Sequence, residues 1–188
     1  MPGMTAVSPA SMLAGLFVSE SPRPEFEQAF QPYAPLIGSW DLDVSWYDDE
    51  GQLTRETKGE WHFAWALDGS AVADIWITPS RAVRTSPEDG EWGLSIRIYD
   101  PELDAFRSTW MGPRAALVKT FIGHAGPGSI TLEARDSDLA KTRWIFTDIT
   151  ATSFQWRNED EDADGRIFVR QRFSGTRAVD LDDGFRQA

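Results

Sequence analysis

The stretch that decides the fold runs from Gly38 to Thr78 and reads GSWDLDVSWYDDEGQLTRETKGEWHFAWALDGSAVADIWIT. It holds five of the nine tryptophans in the 188-residue chain. Two acidic-Gly pairs, Glu50-Gly51 and Asp68-Gly69, divide it into three runs in which apolar and polar residues alternate. Such a pair between alternating runs signals a two-residue β-hairpin turn, whose central residues both take positive φ. The stretch therefore predicts three antiparallel strands.

The two predicted turns fix the register of these strands. A turn at Glu50-Gly51 places Trp40 opposite Trp61, and a turn at Asp68-Gly69 places Trp61 opposite Trp76. Since side chains alternate between the two faces of a strand, a slip of one residue would move every tryptophan into water. The aromatic face is therefore predicted to lie inside. Its members are Trp40, Leu42, Val44, Trp46, Trp61, Phe63, Trp65, Val72, Asp74 and Trp76.

The rest of the chain continues the strand pattern. Seven further short runs are predicted as strands: 91–99, 105–111, 114–123, 129–135, 141–148, 152–158 and 166–173. About ten short strands at regular spacing are typical of an all-β antiparallel meander, either a barrel or a sandwich. We predict an up-and-down β-barrel of about 8–10 strands with a short N-terminal helix.

The predicted domain boundaries follow from composition. Residues 24–173 form the single barrel domain, residues 1–23 a flexible arm rich in Pro, Ser, Ala and Gly, and residues 174–188 a polar tail. A short helix at 24–31 would place Phe26 and Phe30 on one face, where they can cover an opening of the barrel. The long linker 79–90 is a candidate flap over a barrel mouth.

The inward face of the strands at 91–111 is not decided by hydrophobicity, because both faces are half apolar. A four-residue loop at 101–104 pairs Tyr99 with Phe106 and Arg97 with Ser108. We favour the arrangement that turns Arg97 and Tyr99 inward, together with Trp110. The inward face of 141–158 is likewise left open.

Charge and composition exclude several classes of function. The net charge of −12 disfavours both non-specific nucleic-acid binding and an anionic membrane surface. The chain has no cysteine and no apolar run near the ~20 residues of a membrane helix. Its two histidines, His62 and His124, have no third ligand at a recognisable spacing, so no metal site and no cofactor are expected. A cytoplasmic protein is the expectation.

Four short segments resemble the lipocalin-like (calycin) superfamily, and more closely a widespread family of uncharacterised bacterial lipocalin-like barrels. The segments are 36–40 (LIGSW), 66–70 (ALDGS), 99–101 (YDP) and 154–157 (FQWR). The resemblance implies an up-and-down barrel that encloses a small hydrophobic ligand. Some barrels of this type bind haem or fatty acids, and a few catalyse cyclisations. The haem-binding nitrobindin-like branch uses a histidine late in the chain, and this sequence has none after His124.

A tryptophan-lined barrel interior is the first candidate site. Barrels of this size can hold one small ligand, and aromatic walls suit a flat or cationic molecule. The alternative is that the rings only fill the barrel as core. The predicted ligand-binding residues are Trp46, Trp61, Phe63, Trp65, Trp76, Tyr99, Trp110 and Trp156.

Asp74 is the one acid on the aromatic face and the first candidate catalytic residue. Burial among aromatic rings disfavours the charged form of a carboxylate, which suits it to acid or base chemistry. Arg97 is the predicted partner and would stabilise charge. The same barrel could then catalyse cyclisation, condensation or isomerisation. The alternative is that the two residues form a structural ion pair.

A small apolar patch on the outer face bears on assembly. Its members are Ala64, Ala73, Ile75 and Ile77. Such a patch needs cover, either from the N-terminal helix or from a second subunit. A homodimer is therefore predicted as one possibility, and a dimeric interaction module without any ligand is the third functional reading.

Overall fold

The computed structural model describes residues 8–86, 90–136 and 140–179. Helix α1 is Pro9–Phe17 and helix α2 is Glu27–Phe30, and single 3₁₀ turns lie at Pro24–Phe26, Ala34–Leu36 and Pro113–Ala115. The strands are β1 Val18–Ser19, β2 Gly38–Tyr47, β3 Leu53–Ala66, β4 Ala71–Thr78, β5 Glu91–Asp100, β6 Ala105–Gly112, β7 Leu117–Gly126, β8 Ser129–Asp136, β9 Ala140–Thr147, β10 Ser153–Glu161 and β11 Ile167–Arg177.

Strands β2 to β11 form a closed up-and-down barrel. Each pairs antiparallel with the next, and β11 pairs with β2 to close the sheet. The short strand β1 adds to the end of β3, where Val18 pairs with Ala66. The predicted all-β barrel with a short N-terminal helix is confirmed.

The predicted register of the first three strands is also confirmed. Trp40 lies opposite Trp61, and Trp61 lies opposite Trp76. The second turn has the predicted form, because Asp68 and Gly69 have φ of 55° and 72° and the Ser70 N–H donates to the Leu67 carbonyl at 3.1 Å.

The first turn is longer than the two-residue loop that the sequence predicts. The register shifts between Trp46 and Tyr47, and Gly51 takes positive φ (76°) while Glu50 does not. The carboxylate of Asp48 accepts hydrogen bonds from the backbone N–H groups of Glu50 and Gln52, at 3.1 and 2.7 Å. This side chain therefore stabilises a longer, bulged loop, which a turn signal based on Glu50-Gly51 does not reveal.

The segment from Pro24 to Leu36 closes one end of the barrel. Phe30, Tyr33 and Leu36 are wholly buried. The ring centroid of Phe30 lies 5.8 Å from those of Trp65 and Phe106. The Trp40 indole N–H donates to the Leu36 carbonyl at 2.6 Å, which ties the segment to β2. Phe30 covers an opening of the barrel, as the sequence predicts.

The linker after β4 does not lie across the other end in the part that is described. The Ser80 N–H donates to the Lys58 carbonyl at 2.8 Å, and Arg81 pairs with Glu60 on the outward face of β3. Ser80 and Arg81 are therefore bonded to strand β3 and do not lie across the barrel mouth, which corrects the predicted flap at these two residues. Residues 87–89 of the predicted flap lie outside the described residues.

The described residues on either side of the predicted barrel domain add to the barrel wall. Helix α1 has no buried residue, but Phe17 at its end packs against Ala66 and Ala73 on the outer face. Strand β11 continues past Phe173, the predicted end of the domain, to Arg177. Residues 1–7 of the predicted arm and 180–188 of the predicted tail lie outside the described residues. Among the helices that are described, none has the length and apolarity to span a membrane. The homodimer stays a prediction.

Candidate functional site

The barrel interior is built from aromatic rings in mutual contact. Trp61 on β3 lies at the centre of this core and is 3% exposed. Five rings surround it at centroid distances of 4.9 to 6.1 Å: Phe63, Phe146, Phe154, Trp156 and Phe173. The middle of the barrel is therefore packed core, as the alternative interpretation of the sequence predicts.

A second layer of rings lies nearer the end of the barrel opposite Phe30. Its centroid distances are 5.9 Å for Trp76–Trp110, 5.7 Å for Trp110–Trp144, 5.7 Å for Trp144–Trp156, 4.2 Å for Trp156–Phe173 and 5.6 Å for Phe173–Trp76. These five rings form a closed loop of contacts, the indole circuit. Trp76 and Trp110 keep 9% and 8% exposure and Trp144 is only partly buried. Three rings of the circuit thus keep some contact with solvent at this end.

Asp74 and Arg97 form an ion pair inside the barrel. Their side chains have no exposed surface, and Arg97 Nη1 donates to Asp74 Oδ2. The Trp61 indole N–H donates to the other oxygen, Oδ1, at 2.7 Å. Burial alone would lower the pKa of Arg97, but the attraction of Asp74 outweighs it and the pKa is raised. Arg97 thus lies inside as favoured, and both oxygens of Asp74 have partners.

Several buried polar atoms next to this pair have no hydrogen-bond partner among the described residues. They are the Tyr33 hydroxyl, Ser95 Oγ, and Nε and Nη2 of Arg97. Burial raises the pKa of Tyr33 to about 12, so its hydroxyl keeps its proton at neutral pH. In the indole circuit, the Nε1 atoms of Trp76, Trp144 and Trp156 are also without a partner. A native interior seldom leaves such groups unpaired, so each of them needs a partner other than the described residues, such as water or a ligand.

A polar network joins strands β7, β9, β10 and β11 near the same end as the indole circuit. Lys119 Nζ donates to Thr142 Oγ1 at 3.1 Å, and Thr142 donates to Asp160 Oδ1 at 2.9 Å. Arg170 Nε donates to the second oxygen of Asp160 at 3.0 Å and also pairs with Asp49 in the first turn. Through these hydrogen bonds, the network connects the β2–β3 turn with strands β11, β10, β9 and β7.

A second hydrogen-bonded group lies on the outer face. His62 Nδ1 lies 2.9 Å from Ser39 Oγ, and His62 Nε2 lies 3.2 Å from Glu60 Oε2. Arg81 donates to Glu60 from Nε at 2.8 Å, and its backbone N–H donates as well. The sequence places His62 on the outer face correctly, but gives no sign that Glu60 would be 8% exposed there.

The burial of Glu60 predicts a pH-dependent stability. Burial alone would raise the pKa of Glu60, but hydrogen bonds from Arg81 and His62 outweigh it and lower the pKa below its ordinary value. The ionised form therefore contributes stability that is complete above the ordinary pKa and is lost as the pH falls through the lowered one. Glu60→Gln should lower the free energy of unfolding by about 1–2 kcal/mol at pH 7.

Urea unfolding at pH 7 and at pH 3 measures this effect. The difference between wild type and Glu60→Gln should shrink at pH 3, because the carboxyl of the unfolded wild-type chain is protonated there and the lowered pKa of the folded state no longer contributes its full stability. Glu56→Gln, at an exposed position of the same strand, is the matched control and should change little at either pH. A Glu60→Gln difference that is the same at both pH values would contradict the assignment.

The predicted site residues occupy different parts of the barrel. Trp61 and Phe63 belong to the packed middle, Trp156 contacts Trp61 there and is also a member of the indole circuit, and Trp65 lies at the closed end against Phe30. The remaining four lie nearer solvent or take other partners. Trp76 and Trp110 are in the indole circuit, Trp46 is partly buried with Arg55 over its ring at 4.7 Å, and Tyr99 packs on Phe106 while its hydroxyl donates to Asp104 at 2.7 Å.

The indole circuit and the polar group at Arg97 include four residues that were not predicted as part of the site. Trp144 and Phe173 complete the indole circuit, and Tyr33 and Ser95 join the polar group at Arg97. The sequence does not decide whether Trp144 faces the inside or the outside of the barrel. The inward position of Ser95 follows from the register favoured for Arg97, whereas nothing in the residues around Tyr33 indicates that its ring enters the barrel.

A separate groove of about 1000 Å³ lies on the outer face of β5 to β8. It is lined largely by outward-facing residues, among them Ile98, Arg107, Thr109, Thr120 and His124. None of these is a predicted site residue. The groove is a second concave surface, separate from the barrel interior.

The fold is a closed ten-strand up-and-down β-barrel, capped at one end and lined by aromatic rings. Solved structures that share this fold include the following two. The S-type phycobiliprotein lyase CPES from Guillardia theta matches with a TM-score of 0.53 and 12% sequence identity, over 84% of this chain and 99% of that chain. Rv2717c from M. tuberculosis matches with a TM-score of 0.57 and 12% identity, over 85% of this chain and 100% of that chain. No family model matches the sequence, and no curated protein does.

Proposed function

We propose that this protein binds a small hydrophobic or aromatic molecule inside its barrel, against the indole circuit. The observation that carries the proposal is the closed loop of four indoles and one phenyl ring at the end opposite Phe30. Each aromatic contact with a flat ligand contributes about 0.5–1.5 kcal/mol beyond the burial of its area. A planar apolar ligand is the chemistry that this surface fits best.

The ligand enters only when the rings of the circuit separate. Neighbouring rings are in contact around the whole loop, and the indole Nε1 atoms of Trp76, Trp144 and Trp156 have less than 1 Å² accessible. Trp144 is the most exposed ring of the five and is the natural one to move first. Association should therefore be slower than diffusion, because a conformational step precedes binding.

Titration with fluorene, a rigid planar hydrocarbon, tests the proposal through tryptophan fluorescence. We expect a saturable change in emission with one site per chain. Trp144→Phe should weaken binding severalfold, because it removes part of the circuit. Trp92→Phe is the matched control on the outer face, where Trp92 is half exposed, and should leave the affinity unchanged. Emission that does not saturate, or equal affinities for the two variants, would count against a site in the barrel.

An enzyme that uses Asp74 as acid or base is the second candidate. Its supporting observation is a carboxylate enclosed by aromatic rings, 1% exposed. However, Arg97 compensates the charge of Asp74, and both carboxylate oxygens already accept hydrogen bonds. This arrangement favours binding over proton transfer, since a general acid or base needs an oxygen within reach of the substrate.

A further inference from the structure

The group of unpaired polar atoms beside Asp74 bears on the chemistry of the ligand. Tyr33, Ser95 and Arg97, the donor cluster, are 0%, 1% and 0% exposed. The Tyr33 hydroxyl, Ser95 Oγ and two nitrogens of Arg97 have no partner among the described residues. A buried donor without an acceptor costs folding free energy, and a charged donor costs the most. Four such atoms around one ion pair are therefore too many to be incidental.

What the donor cluster lacks is an acceptor. Every nitrogen of a guanidinium donates and none accepts, while the two hydroxyls can do either. The carboxylate of Asp74 is the acceptor nearest to Arg97, but its Oδ1 takes the Trp61 indole N–H and its Oδ2 takes Arg97 Nη1. An oxygen atom supplied by a ligand would give these donors the partner that the described residues do not provide.

The charge balance decides what kind of oxygen fits. Arg97 is already compensated by Asp74, so the pair is neutral as a whole. A ligand carboxylate would add an uncompensated negative charge to a buried site, which is costly. A neutral carbonyl oxygen accepts two hydrogen bonds without that cost. The donor cluster is therefore matched to a ketone, quinone or amide oxygen rather than to an acid.

The donor cluster adjoins the indole circuit. Ser95 lies opposite Asp74 on β4 and opposite Trp110 on β6. The ring of Trp110 lies against Gly93, two residues before Ser95, where a Cβ atom would come within 1.9 Å of it. On the other side, Arg97 Cζ lies 5.6 Å from the ring centroid of Tyr33. A planar molecule that binds between the separated rings of the circuit would therefore lie next to the donor cluster.

We propose that the ligand is a planar aromatic carbonyl compound, whose oxygen accepts hydrogen bonds from Arg97 and from the hydroxyl of Tyr33 or Ser95. This inference rests on the proposed function, since it names the chemical class of the molecule bound inside the barrel. The rings of the circuit contact the flat body of the ligand, and the donor cluster orients its single polar group.

Three probes that share the fluorene ring system test the inference. Fluorene and 9-fluorenone differ only in a CH₂ group against a carbonyl, and fluorene-9-carboxylate carries the negative charge. By tryptophan fluorescence, 9-fluorenone should bind about tenfold or more tightly than fluorene, because it adds a hydrogen bond to a charged donor. Fluorene-9-carboxylate should bind more weakly than 9-fluorenone.

Two variants remove the hydroxyls without removing any described hydrogen bond. Tyr33→Phe and Ser95→Ala should fold with unchanged or higher stability, because the deleted groups have no partner. The preference for 9-fluorenone over fluorene should fall at least threefold in one of them, while the affinity for fluorene is kept. Tyr47→Phe, on the outward-facing side of β2, is the matched control and should keep the full preference.

The outcomes separate the two proposals. Failure of all three probes to bind would overturn the proposed function and this inference with it. Saturable binding with equal affinities for fluorene and 9-fluorenone would overturn the inference alone. A preference for 9-fluorenone that survives in both variants would also overturn the inference. Tightest binding of fluorene-9-carboxylate would overturn it as well, because it would show that the site selects an acid and not a neutral carbonyl compound.

Discussion

Arg97→Met is expected to lower the free energy of unfolding by about 3–5 kcal/mol, because it leaves the carboxylate of Asp74 buried without its counter-ion. For a chain of this length, that corresponds to a fall in Tm of roughly 6–20 °C. The two side chains have no exposed surface, so water cannot replace the lost partner. Urea unfolding followed by far-UV circular dichroism measures the loss.

The chain offers a matched control for this experiment. Arg107 forms an ion pair with Asp100 at 2.7 Å, but its side chain is 56% exposed. Arg107→Met should therefore cost less than about 1 kcal/mol. The double variant Asp74→Asn with Arg97→Met should recover part of the stability lost in Arg97→Met, because the unpaired charge is gone. Equal losses for Arg97→Met and Arg107→Met would show that the pair is not buried as described.

Trp61→Ala is expected to cost about 3–5 kcal/mol, the range for removing a large aromatic side chain from a core. Its ring is in contact with five other aromatic rings, and its indole N–H donates a hydrogen bond to Asp74 Oδ1. The substitution should also weaken the near-UV circular dichroism, which reports on the fixed packing of aromatic rings. Thermal unfolding and the near-UV spectrum together check this expectation.

Trp92 on β5 provides the comparison for Trp61, since it points outward and is 49% exposed. Trp92→Ala should cost about 1 kcal/mol or less and leave the near-UV spectrum nearly intact. Similar losses at the two positions would mean that the aromatic core is not organised around Trp61.

The register was predictable because two turn signals and a strict alternation agree. The turn at Asp68-Gly69 fixes Trp61 opposite Trp76 on the neighbouring strand. A register shifted by one residue would expose the tryptophans. The inward position of Arg97 was predictable only as a preference, since both faces of its strand are half apolar. The choice is settled by Asp74, which needs a counter-ion in the interior, and that need is visible once Asp74 is placed on the aromatic face.

Other features could not be read from local sequence. Tyr33 enters the barrel because the segment between Pro24 and Leu36 folds over its end, and that placement depends on long-range contacts with Phe106. The first turn is shaped by the side chain of Asp48, which lies outside the acidic-Gly pair that signals the turn. Whether aromatic side chains fill a barrel or line a space depends on their rotamers, which periodicity does not specify.

A crystal structure of the protein with 9-fluorenone bound tests the central claim most directly. The account predicts the planar rings among the side chains of the indole circuit, with Trp144 displaced from its position here and the carbonyl oxygen within hydrogen-bond distance of Arg97. The result that would contradict it is 9-fluorenone bound only in the outer groove at Thr109 and Thr120, with the rings inside the barrel unmoved.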